Sequence, residues 1–150
     1  MTPEELARRV AKIRQELEEA ADGKYPAPKL IAVTILTSIG DNDWKEMGFS
    51  QEIREQVLRF ATLAKKAGMD GVVASPQEAA AIREACGPNF LIVTPGIRPA
   101  GADINDQSRI ATPSAALRNG ATHLVVGRPI RAAKDPKAAA EAIIREMERV

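Results

Sequence analysis

The sequence predicts an α/β fold in which four strand-helix units build one all-parallel sheet behind an N-terminal amphipathic helix. Three observations carry that expectation. Short β-branched runs alternate four times with segments of helical periodicity. Ala, Val, Ile and Leu are plentiful in a chain that is 45% hydrophobic but only 3% aromatic, which suits buried parallel strands under Ala-rich helices. The connections are short, so successive strands lie side by side with right-handed crossovers.

Thr2-Pro3-Glu4-Glu5 opens the first helix with a hydroxyl cap, a Pro at the first helical position and acids at the positive dipole end. Leu6, Val10, Ile13 and Leu17 draw one apolar stripe along an unusually regular segment. Asp22-Gly23 ends it before the stiff connector Lys24-Tyr25-Pro26-Ala27-Pro28. Residues 30–36, LIAVTIL, form the first strand, and Asp41, Asp43 and Lys45 follow in a solvated loop. Ser50 caps a helix to about Ala67 that turns Ile53, Val57, Phe60, Leu63 and Ala64 inward; Gly68 stops it. Residues 71–75 make the second strand, and Pro76 starts a helix to Ala85. Residues 90–94 make the third strand, and Thr112-Pro113 opens a short helix ending at Asn119-Gly120. Residues 123–127 make the fourth strand before Asp135-Pro136 starts the last helix, where Ala139, Ile143, Ile144 and Met147 pack inward. Residues 1–150 are expected to be one domain, with helix and linker over 1–28 and four βα units over 29–150.

Composition removes several function classes. Lys and Arg number 21 against 20 Asp and Glu, so a formal charge of +1 gives no broad attraction to nucleic acid or membrane. Cys86 is the single cysteine and has no metal-ligand companions, so neither an internal disulfide nor a metal site is expected. The charged opening lacks an apolar signal core, and a cytoplasmic protein is expected.

The residues that point to a site are VTPGIRPAGADINDQ over 93–107 and LVVGRPI over 124–130. Each begins as a strand and breaks into a loop carrying Gly, Arg or Gln, a construction that delivers oxyanion donors to a strand's C-terminal mouth. With LIAVTILTS, DGVVASPQE and the NDQ near IATP, these blocks stand in an order that resembles units five to eight of the orotidine 5'-monophosphate decarboxylases, from about Lys29 to Glu148. The resemblance implies half of a (βα)8 TIM barrel, with the opening helix replacing the one that normally precedes unit five. It implies that Thr37 contacts a pyrimidine ring, that Arg98 belongs to the phosphate-binding set, and that Gln107 reaches phosphate and base. Gly127 and Arg128 become the final phosphate clamp, a backbone N–H and a guanidinium. Pro95-Gly96 would set a turn and leave room beside the ligand. No cofactor is implied.

The chemistry half is missing. The family's Asp-x-Lys-x-x-Asp run is absent, and without a Lys fixed among carboxylates nothing protonates or stabilises the reacting carbon. No residue is therefore assigned a catalytic role, and decarboxylation by this polypeptide alone is not expected, although the resemblance is to a carboxy-lyase. His123 and Cys86 read as structural. A parallel sheet is normally covered on both faces, and four units cover one. The expectation is a homodimer that closes the barrel, with a complementary N-terminal half as the competing partner. The reading is a truncated or engineered half-barrel scaffold that retains phosphate sites. A split decarboxylase subunit and an inert assembly module are the alternatives.

Overall fold

The computed structural model of the chain describes residues 1–102 and 104–150. Helix α1 (Pro3–Ala21) is followed by β1 (Ile31–Val33), α2 (Asp41–Glu46), α3 (Ile53–Lys66), β2 (Gly71–Val73) and α4 (Ala79–Cys86). Then come β3 (Leu91–Thr94), α5 (Pro113–Arg118), β4 (His123–Leu124), α6 (Arg128–Arg131) and α7 (Pro136–Met147). The strands pair in parallel in the order β1-β2-β3-β4, the α/β arrangement expected.

Local cap chemistry sets several helix ends as read. Thr2 Oγ1 accepts from Glu5 N–H, Thr112 Oγ1 from Ala115 N–H, and Asp135 Oδ1 from Ala138 N–H, each just before a Pro. Helix α3 starts later than Ser50, after Glu52, because the Trp44 indole donates to Gln51 O and Phe49 stacks on the same ring, holding that stretch outside the helix. Asp41, Asp43 and Lys45 lie on the short helix α2 rather than in a loop, with Asp43 accepting Gly40 N–H at 2.9 Å.

The pleat sorts residues onto two faces. Ala32, Val72 and Ile92 stand in register and face α3 and α4, joining Val57, Ala61, Ala64, Ala79 and Ile82 in the main core. Phe60, expected inward, is 40% exposed, because Val57, Ala61 and Ala64 take the sheet-facing side of α3 and small side chains bring it close. Ile144 is likewise exposed, and Ile143 is the α7 residue that packs. A second cluster gathers Ile97, Ala116, Ala121, Leu124 and Val126 under α5.

The other face carries Val33, Val73, Val93 and His123 in one registered row, with Val125 beyond. Val33 is 62% exposed and Val125 50%. Gly71 belongs to this face, where a Cβ would sit 2.2 Å from Leu91 O. Helix α1 leaves that face open. It lies against α3, where Val10 meets Gly68 and Arg14 donates to Gly68 O at 2.6 Å.

Asp70 ties α1 to the start of the sheet, accepting Leu30 N–H at 2.7 Å and the Arg14 guanidinium at 3.1 Å. Burial raises its carboxyl, but these two hydrogen bonds and the Arg14 charge outweigh burial and hold it below the ordinary aspartate range. A depressed carboxyl stabilises the fold above its unfolded value, and that stability fades as pH falls through the folded value. Asp70→Asn is expected to cost about 1–2 kcal/mol in urea unfolding at pH 7. The difference from the parent should shrink below about pH 4.

Candidate functional site

Parallel strands deliver all their C-terminal ends to one edge, so the loops after β1, β2, β3 and β4 gather there. The longest, residues 95–112 between β3 and α5, organises the edge. It leaves β3 through Pro95-Gly96, and from Gln107 to Arg109 it lies beside the end of β1. Gly96 has φ +72°, and a Cβ there would stand 3.1 Å from Arg109 O and 3.4 Å from Thr37 Cβ. The space expected for a ligand beside Gly96 is filled by the loop's own return.

Buried Thr37 meets that return. Its Oγ1 donates to Gln107 Oε1, and its carbonyl accepts Ser108 N–H at 3.2 Å, Arg109 N–H at 3.3 Å and Ser108 Oγ at 3.2 Å. One residue before Gln107, the Asp106 carboxylate pairs with the Arg128 guanidinium. The Arg128 hydrogen bond is the main reason that the Asp106 carboxyl lies below its usual range. Gly127 caps the single turn of α6, and nothing lies within 4 Å of where its Cβ would stand. Beside it opens a cavity of about 310 Å³ lined by Ala102, Asn105, Arg128, Pro129 and Arg131, among others.

Thr37, Gln107 and Arg128 thus meet one stretch of loop, through Gln107 itself and its neighbour Asp106, and Gly127 stands next to Arg128 in the chain. Arg98 is placed differently. It is 7% exposed, its guanidinium donates to Ile97 O at 2.8 Å, and its N–H bonds Ala111 O at 3.0 Å. Its guanidinium is thus buried beside its own backbone.

Sequence reasoning missed Arg109. Its guanidinium forms a buried ion pair with Glu78 and donates to Ile35 O and Leu36 O at 3.0 Å and Ile39 O at 3.1 Å. Those carbonyls explain why β1 stops at Val33 rather than Leu36. Thr34 N–H still bonds Val73 O, but the next residues turn toward the guanidinium. Burial pushes the Glu78 carboxyl above the ordinary glutamate range, against the pull of Arg109. The available signal was the pair of charges inside SPQE and SRIATP, each among small or apolar neighbours. Asp106 and Arg131 were also not singled out.

Other candidates resolve simply. Burial raises the Cys86 thiol, so Cys86 is no ready nucleophile. His123 lies exposed at the start of β4, its Nδ1 2.9 Å from Thr122 Oγ1. Trp44 is buried and stacked on Phe49 at 3.9 Å. Among the described residues no helix is long and apolar enough to cross a membrane.

A family model described as Orotidine 5'-phosphate decarboxylase / HUMPS family matches residues 6–143, taking in α1 from its second turn. An orotidine 5'-phosphate decarboxylase of Moorella thermoacetica is 60% identical over 134 residues, which are 89% of this chain and 53% of that protein. One of Geobacter sulfurreducens is 54% identical, over 86% of this chain and 55% of its own length. The crystal structure of orotidine 5'-phosphate decarboxylase from Lactobacillus acidophilus matches with TM-score 0.66 and 47% identity, covering 82% of this chain and 50% of that one. The chain spans about half the length of the curated relatives it matches.

Proposed function

The chain belongs to the orotidine 5'-phosphate decarboxylase / HUMPS family, and from that premise we propose that it is the phosphate-binding half of a decarboxylase-like barrel, binding a nucleoside monophosphate without decarboxylating it alone. The observation that carries this reading is the 95–112 loop, which sets Gln107 on Thr37 and Asp106 on Arg128. A carboxylate already rests on the Arg128 guanidinium, so that cation is accessible to an oxyanion, and a phosphate bearing up to two charges competes for the same donors. The open Cα of Gly127 allows close approach beside it. Lys45, the lysine nearest to paired acids in sequence, is exposed on α2 and offers no preorganised proton source.

Self-association belongs to the same proposal. The valine row needs cover, and a second copy supplies four more strands and a closed barrel. A second reading is favoured by the span of the match, about half of each relative. In it the remaining strands and the Asp/Lys network come from a separate N-terminal half, and mixing the two chains restores carbon dioxide release.

Titration with uridine monophosphate tests the binding reading. The ligand is expected to raise the melting temperature of the parent chain, and Arg128→Ala to weaken binding about ten- to a hundredfold, since a hydrogen bond to a charged group is worth about 1.5–3 kcal/mol. No ligand-dependent shift at millimolar concentration would overturn it.

A further inference from the structure

Resting on the reading that Gln107 receives ligand, we infer that Arg109 is a positioning residue: clamped by Glu78, it pins the returning arm of the 95–112 loop to the end of β1, so that Gln107 stands against Thr37 before any ligand arrives.

The loop changes character at Gln107. On the outgoing side Ala100, Gly101, Ile104, Asn105 and Asp106 are exposed; nearby backbone bonds are local, Ala102 N–H to Pro99 O and Gln107 N–H to Ile104 O, and the tie to another element is the exposed Asp106–Arg128 pair. On the returning side the backbone groups pair with residues distant in sequence, on other elements or across the loop's base. Ser75 Oγ donates to Arg109 O at 3.0 Å and Gln77 Nε2 to Ile110 O at 3.3 Å, while Ala111 N–H bonds Gly96 O at 3.3 Å. The Arg109 side chain crosses the middle, joining three carbonyls after β1 to the Glu78 carboxylate before α4.

Two residues of extended chain span at most about 7 Å. Fixing Arg109 therefore confines Gln107 to a small volume beside Thr37, and the entropy of ordering that amide is spent in folding, before binding begins. A guanidinium suits this task because its planar fork serves several acceptors at once. An ammonium keeps the charge opposite Glu78 but cannot hold three carbonyls in that geometry.

Arg109→Lys tests the role in the full chain. Without ligand, the amides of Ser108 and of position 109 are expected to lose protection from hydrogen exchange while Val72 and Ile92 in the sheet keep theirs. If the competent loop falls to about a tenth of the population, affinity for uridine monophosphate falls about tenfold. Gln107→Ala should then add little in the Arg109→Lys background, although it weakens binding in the parent. Unchanged protection at positions 108 and 109, unchanged affinity, or additive losses would each overturn the role. If Arg109→Lys does not fold, Glu78→Gln, which keeps side-chain volume, is read by the same comparison. Should the parent itself bind no uridine monophosphate, the phosphate-site reading fails, and the ligand-free exchange comparison alone decides the positioning role.

Discussion

Arg109→Met is expected to destabilise the fold by about 3–5 kcal/mol, the range for removing one partner of a buried ion pair. Met keeps the aliphatic stem and ends about where the guanidinium begins, so most of the loss comes from the polar groups that the guanidinium served. Glu78 is 4% exposed and would keep a carboxylate in the interior with no cation beside it. The carbonyls of Ile35, Leu36 and Ile39 would lose their guanidinium donor as well. The effect should depend on pH in a known sense. A carboxyl whose folded value lies above its unfolded one stabilises fully below the unfolded value and loses that contribution as pH rises through the folded one. Burial already raises Glu78, and removing Arg109 raises it further. Urea unfolding should therefore show a smaller deficit at pH 4.5 than at pH 7.5, and Glu78→Gln should restore part of the loss at the higher pH. Equal deficits at both values would mean that the carboxylate is not the source.

The second large effect concerns the open sheet face. The parent chain is expected to sediment as two copies at micromolar concentration, and Val33→Asp with Val125→Asp as one. Half of a barrel interior amounts to roughly six inward side chains. At ~1.5–3 kcal/mol each, leaving them wet forfeits on the order of 10 kcal/mol, which rivals the net stability of a typical domain. Two carboxylates on that face would have to be desolvated in any closed assembly, and a buried unpaired charge costs far more than a valine contributes. Because Val33 and Val125 are already exposed in the single chain, the substitutions should leave its secondary structure intact by circular dichroism. A parent chain that remains a single, fully stable copy at micromolar concentration would end the proposal.

Much of the fold was legible because its signals are local. Thr2-Pro3, Thr112-Pro113 and Asp135-Pro136 each act within one helical turn, and the structure uses all three as caps. The four strands were legible as apolar runs, but their lengths were not. Residues 30–36 read as one strand, yet the stretch after Val33 turns toward a guanidinium more than seventy positions away. Phe60 and Ser50 misled for a related reason, since tertiary choices at Ala61 and Trp44 decide which residues face in and where α3 begins. At the candidate site the resemblance marked Thr37, Gln107, Gly127 and Arg128, and the loop joins Thr37 through Gln107 and Arg128 through Asp106. Periodicity could not say that Arg98 is buried or that Asp106 sits on Arg128, because both depend on the path of one long loop.

The strand order has a further consequence. All four strands point the same way, so the two margins of the sheet are unlike: β1 bounds one and β4 the other. A neighbouring copy that continues the sheet in the same direction must join its β4 to this β1, or the reverse. Such a head-to-tail joint has no built-in stop. Curvature alone decides whether the second joint closes a ring of two or leaves a free margin for a third copy and a growing fibre.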